Sequence, residues 1–356
     1  VMEYYIGKDY SLGGITLLCR FDGQRVTMAS QMSEADETVS SLYSVKSEQA
    51  TMLSFDTYNY LVHYFGQPQG SMSDDPNGTL GGDYEFIISS ASAERIELKG
   101  KKYGNRIVMK ALTEDQTWKQ YLTKIKKVED DAFFYEYDLL MDGLYTGQMI
   151  RSNYTFIVTY YDEIGKVHQK TVPFMFTADG LRFHEPVTID GQTMQNFVWK
   201  NELISFVCTD EGATGVKLAG VYTAGYQSYD YYPGTYQMDF YRLNDETGQL
   251  EVASQEVRLL KNEDRKSYWL KGLEYDILVM YDKPRGGLSV SPQLLEKVQG
   301  GYVYLAMWDV MNDYVLRNKS IGLISYATTN GIYLVDNGVW MGEVSGFIFG
   351  VYNSQE

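Results

Sequence analysis

The sequence is poor in the residues on which metal sites and disulfide scaffolds are built. Its 356 residues include two cysteines, Cys19 and Cys208, and three histidines. Neither cysteine has another cysteine or a histidine at metal-ligand spacing, which excludes the common zinc motifs. Each cysteine lies in an alternating apolar run, so we interpret both as small buried side chains, with a disulfide between them as the alternative. We predict no metal and no cofactor.

Basic charge and long apolar runs are also missing. Lys and Arg number 31 against 47 Asp and Glu, a net charge of −16. An acidic surface repels phosphate backbones, and the densest basic segment, Lys99–Lys110, is typical of a solvated strand face. We therefore predict no nucleic-acid partner. No run approaches the roughly 18 apolar residues of a membrane helix, and the strand-like first residues lack a secretory leader, as expected of a processed N-terminus.

What the sequence does contain is two-residue alternation interrupted by tight turns. Ile15, Leu17, Cys19 and Phe21 alternate with polar residues, and similar runs recur along the chain. Type I′ hairpin turns need positive φ at both central residues, which Asn, Asp and Gly tolerate best. Such dipeptides occur at Asp22-Gly23, Asn77-Gly78, Asp142-Gly143, Asp179-Gly180, Asp190-Gly191, Asn330-Gly331 and Asn337-Gly338. This pattern predicts a mainly β protein with antiparallel sheets.

One segment departs from the strand pattern. Thr113-Glu114-Asp115-Gln116 fits a helix capping box, and apolar residues at helical spacing follow it. We predict an amphipathic helix from Glu114 to about Glu129 that packs on a sheet or joins two β units. Further along, Leu273–Tyr281 and Tyr302–Trp308 are typical of buried strands, and Ser291–Val298 of a short helix.

The length suits two or three domains. A break in the alternating pattern at Asp210–Gly215 divides the chain into an N-terminal β unit, residues 1–212 with the helix at 113–130, and a C-terminal β unit, residues 213–356. We expect each unit to be a meander barrel or a strongly curved antiparallel sheet. The alternative is three units, with an additional division near residue 113.

Several segments, taken in order, carry a resemblance to a known family. They are Met2-Glu3-Tyr4-Tyr5, Gly13-Gly14-Ile15-Thr16, Arg20-Phe21-Asp22-Gly23, Leu53-Ser54-Phe55-Asp56-Thr57-Tyr58-Asn59, Gly81-Gly82-Asp83-Tyr84-Glu85-Phe86, Leu98-Lys99-Gly100-Lys101-Lys102-Tyr103-Gly104 and Phe176-Thr177-Ala178-Asp179-Gly180-Leu181. Over roughly the first 200 residues the chain resembles an uncharacterised family of exported Bacteroidetes-type lipoproteins, a domain of unknown function.

The resemblance implies a location but no reaction. It implies a lipid-anchored protein of the cell envelope, periplasmic or surface-exposed, whose anchoring cysteine lies upstream of Val1. It supplies no catalytic residues. In physical terms its motifs serve structure: Gly82 and Gly104 suit turns, Phe86 and Leu98 suit a core, and Tyr84 suits a stacking contact.

Catalytic motifs are absent. No Gly-x-Ser-x-Gly, His-Glu-x-x-His or phosphate-binding Gly-x-x-x-x-Gly-Lys occurs. His184 and Glu185 would point to opposite faces of a strand and so would not share a pocket. The segment Asp74–Gly78 offers oxygen ligands for calcium but lacks the spacing of a helix-loop-helix site. We predict no catalytic residue and no metal site.

Tyrosine is the abundant residue, with 32 in the chain. Tyr226, Tyr229, Tyr231 and Tyr232 lie in a segment interrupted by Gly, Ser and Pro, and such loops present flat apolar faces with hydroxyls. We identify these four as candidate ligand-binding residues for a glycan or peptide; the alternative is a loop folded against its own sheet edge. The leading hypothesis is a non-catalytic envelope lipoprotein. A structural subunit of an envelope complex and a carboxylate-dependent hydrolase are the alternatives.

Overall fold

A computed structural model describes residues 1–47, 50–67, 79–112, 116–162, 164–244, 246–264 and 266–353. The chain divides into two compact units, Val1–Val221 and Tyr222–Glu356. The predicted boundary at residues 212 and 213 lies nine residues before this division. Both units are mostly β, with antiparallel pairing throughout, which confirms the predicted fold class.

The first unit begins with a closed eight-stranded barrel, named barrel 1. Its strands run in chain order, each paired with the next, and the first pairs with the last through Met2 and Met109. They are β1 (Met2–Ile6), β2 (Gly13–Asp22), β3 (Arg25–Ser30), β4 (Val39–Ser47), β5 (Thr51–Phe55), β6 (Glu85–Ala91), β7 (Arg95–Gly100) and β8 (Arg106–Lys110). Alternate side chains fill its interior, among them Tyr4, Phe55 and Phe86, and a one-turn helix, α1 (Tyr60–His63), packs Leu61 and Val62 on that core.

A buried carboxylate, Asp83, ties two connections of barrel 1 together. Its oxygens accept hydrogen bonds from the backbone N–H groups of Lys102, Tyr103 and Asn105, at 2.7 to 3.3 Å, and from the Asn105 side chain at 2.7 Å. The Tyr4 hydroxyl, inside the barrel, donates to the Asp83 carbonyl at 2.8 Å and accepts from its N–H at 2.7 Å. A Cβ on Gly100 would lie 1.9 Å from the Asp83 carboxylate, so this position requires glycine.

A second closed barrel, barrel 2, follows in the same unit. Its first and last strands pair across the register from Val216 with Met141 to Val221 with Glu136. Its strands are β9 (Glu136–Met141), β10 (Leu144–Ser152), β11 (Thr155–Tyr161), β12 (Val167–Phe176), β13 (Gly180–Ile189), β14 (Gln192–Lys200), β15 (Ser205–Cys208) and β16 (Val216–Val221). Asp142-Gly143 and Asp190-Gly191 adopt positive φ at both residues and close two hairpins, as the dipeptide pattern predicts.

The predicted helix is present as α2 (Trp118–Asp131) and begins four residues later than expected. Its capping box uses Thr117, whose side chain accepts from the Gln120 N–H at 3.2 Å. Residues 113–115 of the predicted box lie outside the described residues. Leu122, Ile125 and Val128 are buried in one core with barrel 2 and with outward-facing Leu18 and Ala29 of barrel 1. The helix therefore packs on both barrels.

Barrel 1 also touches barrel 2 directly. A Cβ on Gly13 would lie 2.1 Å from the backbone oxygen of Tyr154, so glycine permits the close approach. On the neighbouring strand β1, buried Glu3 forms ion pairs with Arg182 of barrel 2 and with Lys110. These cations hold the pKa of Glu3 below its usual value although burial opposes them. This buried ion pair therefore joins β1 of barrel 1 to β13 of barrel 2.

The second unit contains two sheets. The seven-stranded sheet has the order β17 (Gly234–Leu243), β18 (Leu250–Lys261), β19 (Ser267–Lys271), β20 (Ile277–Asp282), β21 (Gly287–Val290), β25 (Leu323–Thr328) and β26 (Gly331–Asp336). The four-stranded sheet contains β22 (Gln293–Val298), β23 (Gly301–Asp309), β24 (Tyr314–Leu316) and β27 (Gly346–Tyr352). One core joins Tyr268 and Val279 of the first sheet to Leu305 and Met307 of the second.

Two predictions for this unit need correction. Ser291–Val298 is not a short helix, because Gln293–Val298 is the strand β22, paired with β23. The buried strand expected over Leu273–Tyr281 begins only at Ile277, and the residues before it form a loop. The strand expected over Tyr302–Trp308 is confirmed as part of β23.

Candidate functional site

The tyrosine-rich loop folds largely onto its own sheet. Tyr229 and Tyr232 are buried in the core of the C-terminal unit. The Tyr229 hydroxyl donates to the Ser267 carbonyl at 2.8 Å, and the Tyr232 hydroxyl donates to the Gly286 carbonyl at 2.7 Å. The Tyr229 ring stacks on Tyr268 at 4.6 Å. These two rings therefore act as packing residues in this structure.

Tyr226 and Tyr231 retain more surface. Tyr226 is half-buried, packs 4.5 Å from the ring of Tyr222, and receives a hydrogen bond from the Tyr281 hydroxyl at 3.2 Å. Tyr231 is 45% exposed. Of the four predicted ligand-binding residues, these two have side-chain surface that a ligand can reach, and their role stays a prediction.

A groove elsewhere in this unit has a richer set of groups. It has a volume of about 560 Å³, is open to solvent, and is named the C-terminal groove. It lies at the end of the β19–β20 hairpin. Its lining residues are Trp269, Lys271, Glu274, Tyr275, Asp276 and Leu295. Ligand sites commonly combine a volume in this range with aromatic walls and a few polar groups.

The hairpin fixes the groups of the C-terminal groove. Trp269 points outward on β19 between Leu260 and Leu278 of the neighbouring strands. Gly272 follows the strand at φ +110°, a conformation that favours glycine, and turns the chain. Tyr275 packs against Phe349 at 5.3 Å. Trp269 and Tyr275 are each held by their neighbours, so they give the groove two fixed apolar walls.

The polar groups of the groove are partly paired. The Lys271 ammonium lies 2.7 Å from an Asp276 carboxylate oxygen. The Glu274 carboxylate forms no ion pair or hydrogen bond with any residue that the structure describes. The groove therefore carries one uncompensated negative charge and several hydrogen-bonding atoms beside its aromatic rings. Such a set suits a neutral polyhydroxylated ligand better than an anion.

The apolar pattern of the sequence does not predict this groove, because a buried strand over Leu273–Tyr281 would place Tyr275 inside a sheet. Two signals in the sequence indicate a loop instead: Gly272 marks a turn, and Glu274 and Asp276 interrupt the apolar run. Together they indicate a polar loop directly after an outward tryptophan.

His184 is buried beside aromatic and charged groups of barrel 1. Its ring lies 4.5 Å from Tyr5 and 4.1 Å from Tyr10. The His184 Nδ1 atom lies 3.7 Å from an oxygen of the Glu185 carboxylate, whose side chain is 75% exposed, so the expectation that these two neighbours point away from each other is wrong. The His184 Nε2 atom is buried and has no hydrogen-bond partner among the described residues. Burial, with the charge of Arg106, lowers the pKa of His184 to about 4.

This histidine makes stability depend on pH. Between the unfolded pKa near 6.5 and the folded pKa near 4, the unfolded chain binds a proton that the folded chain excludes. Stability therefore falls as the pH decreases through this window, by up to about 3 kcal/mol. We expect urea unfolding between pH 7 and pH 4 to show this loss in the native protein. His184→Phe should abolish the part due to this ring.

The control is Met341→Ala, which replaces a 97% exposed side chain that carries no titrating group and should leave the slope between pH 6.5 and pH 4 unchanged. Equal slopes in the native protein and in His184→Phe would contradict the assignment. Subtracting the pH dependence of stability in His184→Phe from that in the native protein removes the contribution of Glu3. The lowered pKa of Glu3 also makes stability fall with decreasing pH, but at lower pH.

The two cysteines and the calcium candidate form no site in the described part of the chain. Cys19 and Cys208 are free thiols on β2 and β15, and burial raises their pKa values to about 12 and about 11. The calcium candidate Asp74–Gly78 lies outside the described residues. In the part of the chain that the structure covers, no three His, Cys, Asp or Glu side chains converge as ligands for a metal ion. Nor does any helix there have the length and apolar content to cross a membrane.

Comparisons with known proteins give a family but no activity. A model described as a domain of unknown function, DUF4987, matches residues 209–345. No curated protein and no solved structure matches the chain. A second model, DUF4302, also described as a domain of unknown function, matches residues 1–201, more than half of the chain. The chain therefore belongs to the DUF4302 family.

Proposed function

We propose that this protein is a non-catalytic glycan-binding protein of the cell envelope and that the C-terminal groove holds the glycan. The observation that carries the proposal is the pairing of an outward tryptophan, Trp269, with Tyr275 and charged side chains in one open groove. Pyranose rings present apolar C–H faces and polar hydroxyl edges. A groove with aromatic walls and hydrogen-bonding side chains matches both.

The state of Trp269 supports this role. The residue is 37% exposed on the outer face of the sheet, and its indole N–H donates to no group that the structure describes. An indole has a large apolar face and a single donor, which suits contact with a ligand that is apolar on one side and polar on the other. The Lys271–Asp276 ion pair adds donors and acceptors already fixed in position, which lowers the entropy cost of binding.

Replacement of Trp269 should remove most of the affinity. A central aromatic contact commonly contributes about 2 kcal/mol or more, so Trp269→Ala should weaken binding about 30-fold or more. Titration calorimetry with neutral hexasaccharides of glucose, xylose and mannose measures this on the full chain. Tyr241→Ala is the matched control, because Tyr241 is the most exposed tyrosine of the unit, 72%, and lies outside the groove.

Other outcomes decide against the proposal. The absence of heat or spectral change with every neutral glycan, or equal affinity in Trp269→Ala and the native protein, would remove the groove as a glycan site. Binding of extended peptides in place of glycans would favour the peptide ligand. Release of reducing ends from the glycan would favour the hydrolase alternative, with Glu274 and Asp276 as the first carboxylates to replace.

The location is a separate part of the proposal. The resemblance of the first 200 residues to exported lipoproteins supports an envelope location with a lipid anchor upstream of Val1. Labelling of cells with radioactive palmitate, followed by membrane fractionation, tests it. Label on the protein supports the anchor, and an unlabelled protein in the soluble fraction contradicts it.

One observation favours the structural-subunit alternative. The outer face of the seven-stranded sheet carries four exposed apolar or aromatic residues, Met280, Tyr326, Tyr333 and Val335, and half-buried Ile324. Cross-strand register aligns Met280, Ser289, Ile324 and Val335, and places Tyr326 opposite Tyr333 on the same face. Exposed apolar surface of this kind is common at protein interfaces. A stable assembly in sedimentation experiments, without glycan binding, would favour this alternative.

A further inference from the structure

Three exposed tyrosines and a half-buried histidine lie on one surface of barrel 1, where Lys102 is near both Tyr84 and Tyr103, and are named the tyrosine strip: Tyr58, His63, Tyr84 and Tyr103. The His63 ring lies between two tyrosines, 5.5 Å from Tyr58 and stacked at 4.7 Å on Tyr84. Tyr58 is 63% exposed at the end of the stack, so one face of its ring is open. Tyr84 and Tyr103 are 43% and 39% exposed. The stacking expected of Tyr84 is thereby confirmed.

The strip is held rigidly from beneath. Asn59 caps α1, and its backbone N–H bonds to His63 Nδ1 at 3.1 Å, which fixes the imidazole. The Tyr84 ring lies against Gly66, where a Cβ would come within 3.3 Å of it. Asp83 holds the backbone of Tyr103. Rings fixed before binding lose little conformational entropy when a ligand arrives.

A lysine adds positive charge to this surface. The Lys102 ammonium lies 4.6 Å above the ring of Tyr103, and the hydroxyl of Tyr103, with a smaller effect from Tyr84, raises its pKa. Within the described ranges, Lys102 forms no ion pair with a carboxylate. The neighbouring Lys101, by contrast, is paired with Glu85 at 3.0 Å. An ammonium without a carboxylate partner is a local anion-binding point on a chain of net charge −16.

We propose that the tyrosine strip is a second glycan site and that it binds acidic sugars. A pyranose ring lies on the open face of Tyr58, and a uronic-acid carboxylate pairs with Lys102. The hydroxyls of Tyr84 and Tyr103 hydrogen-bond to the sugar. This site differs in charge from the C-terminal groove, where Glu274 disfavours anions, and the inference does not depend on the function proposed for that groove.

The test compares tri-galacturonic acid with its methyl ester, which has the same rings without the charge. The full chain should bind the acid at least ten-fold more tightly than the ester. Lys102→Gln should abolish that difference and leave ester binding unchanged, and Tyr58→Ala should weaken both ligands about ten-fold. Lys124→Gln, an exposed lysine of α2, changes the net charge equally and should have no effect.

Thermal unfolding of each variant shows whether it remains folded; both Tyr58 and Lys102 are exposed, so native midpoints are expected. Trp269→Ala should bind tri-galacturonic acid as the native protein does, which separates this site from the groove. Equal affinity for the acid and the ester, no binding of either, or an unchanged affinity in Tyr58→Ala would overturn the proposal. Tighter binding of hexaglutamate than of tri-galacturonic acid would also overturn it, in favour of an acidic peptide.

Discussion

A fragment of residues 1–221 should fold, whereas fragments that end at residue 201 or 212 should not form barrel 2. The last strand, β16, closes the barrel by pairing with β9 over six residue pairs. The shorter fragments leave β9 without this partner. Residues 205–218 also supply Phe206, Val216 and Leu218 to the core.

The expected loss of free energy of unfolding is as large as the total stability of an ordinary domain. Each large apolar side chain contributes about 2 kcal/mol when buried, and a domain is stable by only about 5–15 kcal/mol. Loss of β15, β16 and their core residues should therefore leave barrel 2 unfolded. Near-ultraviolet circular dichroism and urea unfolding measure this loss. The fragment 1–221 should show a cooperative unfolding transition, whereas the fragment 1–201 should show no transition from barrel 2.

The comparison also relates the family match to the folded unit. The DUF4302 match ends at residue 201, after β14, so two strands of the barrel lie beyond it. An equally cooperative transition for 1–212 and 1–221 would show that β16 is dispensable and would contradict the prediction. If neither 1–212 nor 1–221 shows a cooperative transition, barrel 2 also requires the C-terminal unit in order to fold.

Local features of the fold could be predicted from sequence because they depend on neighbouring residues. Asp142-Gly143 and Asp190-Gly191 specify their turns through backbone conformation alone. Barrel closure could not be predicted in this way. The pairs that close the barrels join residues far apart, such as Met2 with Met109, and side-chain alternation is the same in an open and in a closed sheet.

The start of α2 shows how two local signals compete. Thr113 and Thr117 are each followed by Gln three residues later, so the sequence contains two consecutive capping boxes. The helix uses the second, which begins it at Trp118, the first residue of the apolar stripe. A cap that coincides with the start of the buried face satisfies both the backbone and the core.

The candidate sites depended on contacts that sequence proximity does not reveal. Tyr229 and Tyr232 resemble exposed loop residues, but Tyr268 and Tyr281 lie within 6.3 Å of both rings and complete a core. The tyrosine strip joins residues from three separate segments of barrel 1. Its shape is set by Asp83, whose carboxylate bonds across about 20 residues of sequence.

Asp83→Ala should destabilise barrel 1 by about 4 kcal/mol. The buried carboxylate accepts from three backbone N–H groups and one side-chain amide, and its removal leaves these donors without partners in a site that water enters poorly. An unsatisfied buried donor costs about 1–3 kcal/mol, and broken buried networks give the largest effects of single substitutions. Asp83→Asn should lose less stability than Asp83→Ala, because the side-chain oxygen of Asn still accepts a hydrogen bond. Its NH2 group would face the N–H donors that the second carboxylate oxygen accepts from.

Urea unfolding of the full chain, with hydrogen exchange across residues 79–110, measures the effect and its place. Exchange should increase in the backbone N–H groups of Lys102, Tyr103 and Asn105 before it increases in barrel 2. Asp36→Ala is the control, because that carboxylate is 66% exposed in its ion pair with Lys119 and its loss should not move the unfolding midpoint. Identical midpoints for Asp83→Ala and Asp36→Ala would show that the network around Asp83 does not hold the two connections together.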